Sequence, residues 1–239
     1  MASEPQRVAL VTGGSRGIGR AVVEALLEEG YAVAFCSRSA GSVAEAQAAL
    51  LARWPDRVTG EAVDVRQQSQ VASWVAAAAD RLGRIDCLVN NAGLGTFGPV
   101  DEIAPESFRE VIETNLLGPY YAMAAAAPIM RKQGGGWIFN VGSLAAKNAF
   151  AGGAAYNASK FGLLGLSEAS MLDLRHAGIR IAAILPGSVD TDFHSDRRPE
   201  REWMLAPEDV ARPIVDCMRY PDRALPSLIE LRPSRPPKK

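Results

Sequence analysis

The sequence predicts an α/β fold: a single domain built on a doubly wound, seven-stranded parallel sheet with helices on both faces. Three observations predict it. Short apolar runs alternate with longer segments of helical period, as in a parallel sheet whose crossovers are helices. A glycine-rich turn, Thr12-Gly13-Gly14-Ser15-Arg16-Gly17-Ile18-Gly19, joins the first run to the first helical segment. And 239 residues with 48% hydrophobic content suffice for one large core.

Each element follows in order. The short apolar run 7–11 is the first strand, and 20–27 carries helical periodicity that stops near Gly30. Further strands are expected near 31–37, 58–64, 86–90, 137–141, 179–185 and 227–231, with helices over 40–53, 67–82, 105–132, 156–176 and 207–219. Pro207-Glu208-Asp209 puts a proline and two acids where a helix start favours them. The domain is expected to span 1–231. Residues 232–239, proline-rich and basic, read as a frayed or extended tail.

Strand, glycine turn and helix in succession form the context in which backbone N–H groups and the helix dipole hold a pyrophosphate. The glycines are spaced Gly-x-x-x-Gly-x-Gly (Gly13, Gly17, Gly19), unlike the Gly-x-Gly-x-x-Gly of many dinucleotide sites. A turn needing glycine only for positive φ is the plainer alternative.

Tyr156 and Lys160 stand four residues apart, one turn of a helix, and Ser143 lies thirteen residues upstream. A nearby ammonium lowers the pKa of a phenol, so a tyrosine so tuned could protonate a developing alkoxide or deprotonate an alcohol. Ser143 could hold the carbonyl oxygen by a hydrogen bond. An isolated Tyr-x-x-x-Lys is usually an ordinary amphipathic helix; the glycine turn and Ser143 give this one more weight.

With these residues in order, the chain resembles the short-chain dehydrogenase/reductase family over nearly its whole length, which implies a Rossmann-type fold. The glycine turn, Asp64 in Val63-Asp64-Val65, Asn90-Asn91-Ala92-Gly93, Asn115, Ser143, Tyr156, Lys160, and Pro186-Gly187 followed by Thr191 match the family pattern. The resemblance implies a catalytic set of Asn115, Ser143, Tyr156 and Lys160, with Asn115 anchoring a water in a proton relay. Cofactor contacts are implied for Gly13, Ser15, Arg16, Gly17, Ile18, Gly19, Ser37, Arg38, Asp64 and Val65, where Asp64 would meet the adenine. They are implied also for Asn91, Ala92, Gly93, Pro186, Gly187, Val189 and Thr191, the last near the nicotinamide carboxamide. Tyr156 and Lys160 serve both sets, Lys160 through the nicotinamide ribose.

The second strand ends in Ser37-Arg38-Ser39 with no carboxylate expected in reach, whereas an NAD site usually places Asp or Glu there. Arg38 and Arg16 can pair with a 2′-phosphate, so NADP(H) is the expected cofactor. The segment 188–206, with Phe193 and Trp203 as apolar anchors, is expected to close over a small-molecule carbonyl substrate. Its charges, Arg197, Arg198 and Arg201 among Asp196, Glu200 and Glu202, read as salt-bridged and solvated, and His194 as a surface residue. The expected activity is reversible NADPH-dependent reduction of a ketone or aldehyde. Reduction of a 3-oxoacyl thioester on a carrier protein or coenzyme A is the alternative, weakened by Gln133 and Ala177 where relatives carry basic residues. A nucleotide-binding protein without turnover is the third reading, disfavoured by the presence of both Tyr156 and Lys160.

A net charge of −1 gives no nucleic-acid footprint, and no apolar stretch reaches the length of a membrane span. Three scattered cysteines suggest neither a disulfide framework nor a metal site, which points to the cytoplasm. Small side chains along 122–127 and 154–159 predict a two-fold dimer, or a tetramer built from it, through 105–131 and 156–176, as in relatives.

Overall fold

The computed structural model describes residues 5–191 and 202–237. Its strands are β1 (Val8–Thr12), β2 (Ala32–Ser37), β3 (Val58–Ala62), β4 (Cys87–Asn90), β5 (Gly136–Val141), β6 (Ile179–Pro186) and β7 (Leu228–Leu231). The helices are α1 (Gly17–Glu28), α2 (Ala40–Leu51), α3 (Gln68–Leu82), α4 (Pro105–Ile112), α5 (Gly118–Lys132), α6 (Ala154–Leu174) and α7 (Pro207–Cys217). The strands form the expected seven-stranded parallel sheet, and their order is β3-β2-β1-β4-β5-β6-β7.

The pleat explains why the five inner strands are mostly apolar and buried, unlike the edge strands β3 and β7. Successive side chains point to opposite faces, and here both faces are covered. Ala9, Val11, Val33, Phe35, Phe139 and Ile184 face the layer of α1, α2 and α7. Their neighbours Leu10, Ala34, Ile138 and Ile181 face α3 and α5. Ser39 caps α2, its Oγ accepting from the Ser42 amide at 3.3 Å, and Gly83 ends α3 in the left-handed region at φ 83°.

The strand order has a switch point between β1 and β4, and a crevice opens there at the carboxyl ends of the strands. The register brings Thr12, Cys36, Asn90 and Asn140 level along this edge. Below it, Asn90 Nδ2 donates to Asn140 Oδ1 at 2.8 Å, and Asn140 Nδ2 donates to Ser167 Oγ at 2.8 Å.

One expectation is corrected. The segment 105–132 is not one helix: a π-helical turn, Glu113–Leu117, separates α4 from α5. Such wide turns insert an extra residue and tend to occur at functional sites. Here the turn buries Asn115, which is 1% exposed.

Candidate active site

The glycine turn leaves β1 and enters α1. Gly13 adopts φ 69°, and a Cβ there would lie 2.9 Å from Ala92 Cα; a Cβ on Gly19 would meet Gly13 O at 2.1 Å. Only glycine fits both places. The first N–H groups of α1 have no carbonyl one turn earlier to bond, the property that suits a helix start to phosphate. Thr191 arches over this turn, its Cγ2 lying 3.3 Å from where a Cβ on Gly17 would stand.

Thr12, which the sequence reading left out of the site, ties the turn to the loop after β4. Its Oγ1 accepts from the amides of Asn91 at 3.0 Å and Ala92 at 3.1 Å. Asn91 Nδ2 in return donates to Thr12 O at 3.1 Å and Gly13 O at 3.2 Å.

A cavity of about 1350 Å³ runs along the crevice. Gly13, Ser15, Arg16, Gly17, Ile18, Ser37, Arg38, Asp64 and Val65 line one end, Gly19 standing just behind the turn. Asn91, Ala92, Gly93, Ser143, Tyr156, Lys160, Pro186, Gly187, Val189 and Thr191 line the rest. The sequence-predicted residues other than Gly19 and the buried Asn115 therefore share one crevice.

The charges at the first end differ from the sequence expectation. A carboxylate does reach Arg38: Glu110, on α4, accepts from Arg38 at 3.0 Å and from Arg66 at 2.9 Å. Arg66, also missed, forms a bidentate pair with Asp64, and its guanidinium holds that carboxyl below the usual range. Asp64 is thus committed to an arginine. Long separation in sequence hid the contacts of Glu110, which lies 72 residues from Arg38 and 44 from Arg66.

At the other end, Ser143 is extended and its Oγ accepts from the Ala145 amide at 3.1 Å while hydrogen-bonding the Tyr156 hydroxyl. Lys160, 5% exposed, donates from Nζ to Val141 O at 3.0 Å and lies 5.7 Å from the centre of the Tyr156 ring. Burial pulls its ammonium down to about 8. The lowering of Tyr156 by this ammonium, expected from the sequence, is not the dominant effect. Burial raises the phenol, and the bond to Ser143 only partly opposes it. Tyr156 is therefore protonated at neutral pH, the form that can donate a proton.

Asn115 Oδ1 accepts from the Leu94 amide at 2.9 Å, and its Nδ2 donates to Leu94 O at 2.8 Å and Ser159 Oγ at 3.0 Å. It clamps the loop after β4 to the catalytic helix. A Cβ on Gly93 would stand 3.3 Å from Asn115 Oδ1 and 3.8 Å from Lys160 Nζ, so the absence of a side chain there keeps the space between them open. Asn157 performs a similar task, donating to Ala145 O at 2.7 Å and accepting from the Phe150 amide at 3.3 Å.

Aromatic walls flank Tyr156. Phe97 meets its ring edge-on at 5.5 Å, the Phe150 ring lies 6.1 Å from that of Phe97, and Trp203 lines the same cavity. Phe97 and Phe150 sit in loops whose sequence carried no periodic signal. Phe193, His194, Asp196, Arg197, Arg198, Glu200 and Arg201 lie outside the described residues. Of the tail, expected to be frayed or extended, Arg232, Pro233, Pro236 and Pro237 line the cavity.

A dinucleotide cradle at a switch point, with a hydrogen-bonded serine and tyrosine beside a buried lysine, defines a class of nucleotide-dependent oxidoreductase. The comparisons agree. The family model described as short chain dehydrogenase matches residues 7–202. A sepiapterin reductase of Chlorobaculum tepidum is 33% identical over 96% of this chain and 97% of its own length. An alcohol dehydrogenase from the archaeon Thermococcus sibiricus, solved with 5-hydroxy-NADP, superposes with a TM-score of 0.89 at 27% identity, covering 98% of this chain and all of that one. A metagenomic short-chain oxidoreductase solved with NADP has a TM-score of 0.84 at 31% identity, covering 98% of this chain and 100% of that one. The chain belongs to the short-chain dehydrogenase/reductase family of oxidoreductases.

Proposed function

We propose that this chain is an NADP(H)-dependent oxidoreductase that reversibly reduces a ketone or aldehyde to an alcohol. The observation that carries the reading is one crevice with a cationic mononucleotide end, Arg16, Arg38 and Arg66, and Ser143, Tyr156 and Lys160 at the other. A nicotinamide held in this crevice would supply the hydride. Ser143 holds the carbonyl oxygen, Tyr156 delivers the proton to it, and Lys160 favours the tyrosinate left behind while binding the ribose hydroxyls. The glycine turn would hold the pyrophosphate, and Arg16 and Arg38 would hold the 2′-phosphate. Two solved relatives carry NADP or its 5-hydroxy derivative, which supports this choice of cofactor.

A reading as a carrier-protein reductase has less support. Gln133 Oε1 accepts from the Ile85 amide at 3.1 Å, so this side chain is engaged in holding the turn before β4. Three buried, free cysteines suit a reducing compartment such as the cytoplasm. Among the described residues no helix is long and apolar enough to cross a membrane.

Tyr156→Phe is the test. With NADPH consumption followed on a panel of ketones and aldehydes, the variant should lose at least about a hundredfold in kcat while binding NADPH nearly as tightly. Near wild-type turnover would overturn the assignment of Tyr156.

A further inference from the structure

The C-terminal residues, which the mechanism does not use, sit against the site. β7 pairs with β6 so that Leu231 lies level with Pro186, and the Gly187 amide donates to Leu231 O at 2.8 Å. The chain leaving β7 must therefore pass beside Pro186-Gly187-Ser188. A Cβ on Gly187 would stand 3.0 Å from Pro233 Cδ, so the approach is close. Proline fixes φ, and Pro233, Pro236 and Pro237 stiffen a stretch that has no sheet partner of its own.

The chemistry of this wall is specific. Leu94, Phe97, Phe150 and Trp203 give the end an apolar, aromatic body. Beyond Lys160, Arg232 is the charged residue among the described ones lining this end. Glu230 Oε2 accepts from Arg232 at 2.9 Å, and Glu230 Oε1 from Lys147 at 2.7 Å. One carboxylate thus serves two cations, so this cluster of Lys147, Glu230 and Arg232 carries a net positive charge.

We propose that residues 232–237 form the specificity wall of the substrate end, and that Arg232 selects carbonyl compounds bearing a carboxylate on an aromatic or apolar body. This deepens the carbonyl-reductase reading and rests on it. A substrate carboxylate can share Arg232 with Glu230, since a guanidinium presents five donors in a fork.

The test compares 4-formylbenzoate with methyl 4-formylbenzoate, a pair that differs chiefly in charge, using NADPH and the full chain. Arg232→Gln should lower the ratio of their kcat/KM values by about tenfold, the loss of one charge-assisted bond. Glu230→Gln should move the ratio the other way, by about twofold or more, since it removes the competing carboxylate. Opposite signs from neighbouring residues do not arise from general damage. A ratio unchanged in both variants overturns the proposal. Should neither aldehyde be reduced, the carbonyl-reductase reading fails, and calorimetric binding of unreactive 4-methylbenzoate to the NADPH-loaded protein decides this inference separately. About tenfold weaker binding to Arg232→Gln supports it; equal binding, or none to the wild type, overturns it.

Discussion

Lys160 shows how function opposes stability at a single residue. Its ammonium is fully buried, and the one bond it makes to Val141 O does not replace its lost hydration. The folded value of about 8 lies below the ordinary 10.5, so between these pH values the unfolded chain binds more protons than the folded one. Stability contributed by this residue is therefore lowest below pH 8 and rises as pH climbs toward 10.5. Urea denaturation of the wild type across that window should show the slope. Lys160→Met should abolish activity yet raise the thermal midpoint at pH 7 by roughly 2–4 °C, equivalent to about 1 kcal/mol in a chain of this size. A lowered midpoint would mean that the bond to Val141 O outweighs the burial of charge.

At the scale of elements, most of the site was legible because its residues stand beside strand ends. Gly13 and Asn91 follow β1 and β4 directly, Ser143 stands two residues past β5 and Pro186 ends β6, so the alternation that revealed the strands also located them. What escaped depends on distant pairing. Periodicity could not divide 105–132, because the apolar spacing continues past the π-helical turn; Pro119, which lacks an N–H, was the available hint. Nor could it bring Glu110 to Arg38, 72 residues away. That tie between α4 and the end of β2 bears on cofactor choice. Arg38→Asp removes a donor to the 2′-phosphate and sets two carboxylates side by side. NADPH affinity should fall by at least about tenfold, with preference moving toward NADH. Fluorescence titration with both cofactors checks it, and a wild type that prefers NADH would refute the role of Arg38.

The whole molecule leaves large apolar side chains uncovered on α5 and α6. Phe161 is 46% exposed and Leu172 53%, and Tyr120 stands half exposed at the start of α5. We propose that a second copy covers this face through a two-fold axis, so that α6 is braced behind Ser143, Tyr156 and Lys160. Light scattering should show a dimer, or a tetramer built on it, at micromolar concentration. Phe161→Glu combined with Leu172→Glu should yield a monomer with reduced activity; a wild-type monomer would refute the interface.

The strand order also has a consequence for biosynthesis. A nascent chain can join β2 and β3 to one side of β1 as they emerge from the ribosome. The other side of β1 waits for β4, whose first residue is Cys87, and meanwhile presents the unpaired N–H and C=O groups of Val8–Thr12 beside the apolar side chains Val8, Ala9, Leu10 and Val11. Open apolar edges recruit other chains and chaperones. Translation stalled with Leu82 as the last residue released should therefore retain Hsp70-type chaperones or sediment. Stalling after β5 has emerged should relieve much of this, because β4 can then cover β1 while itself being covered by β5.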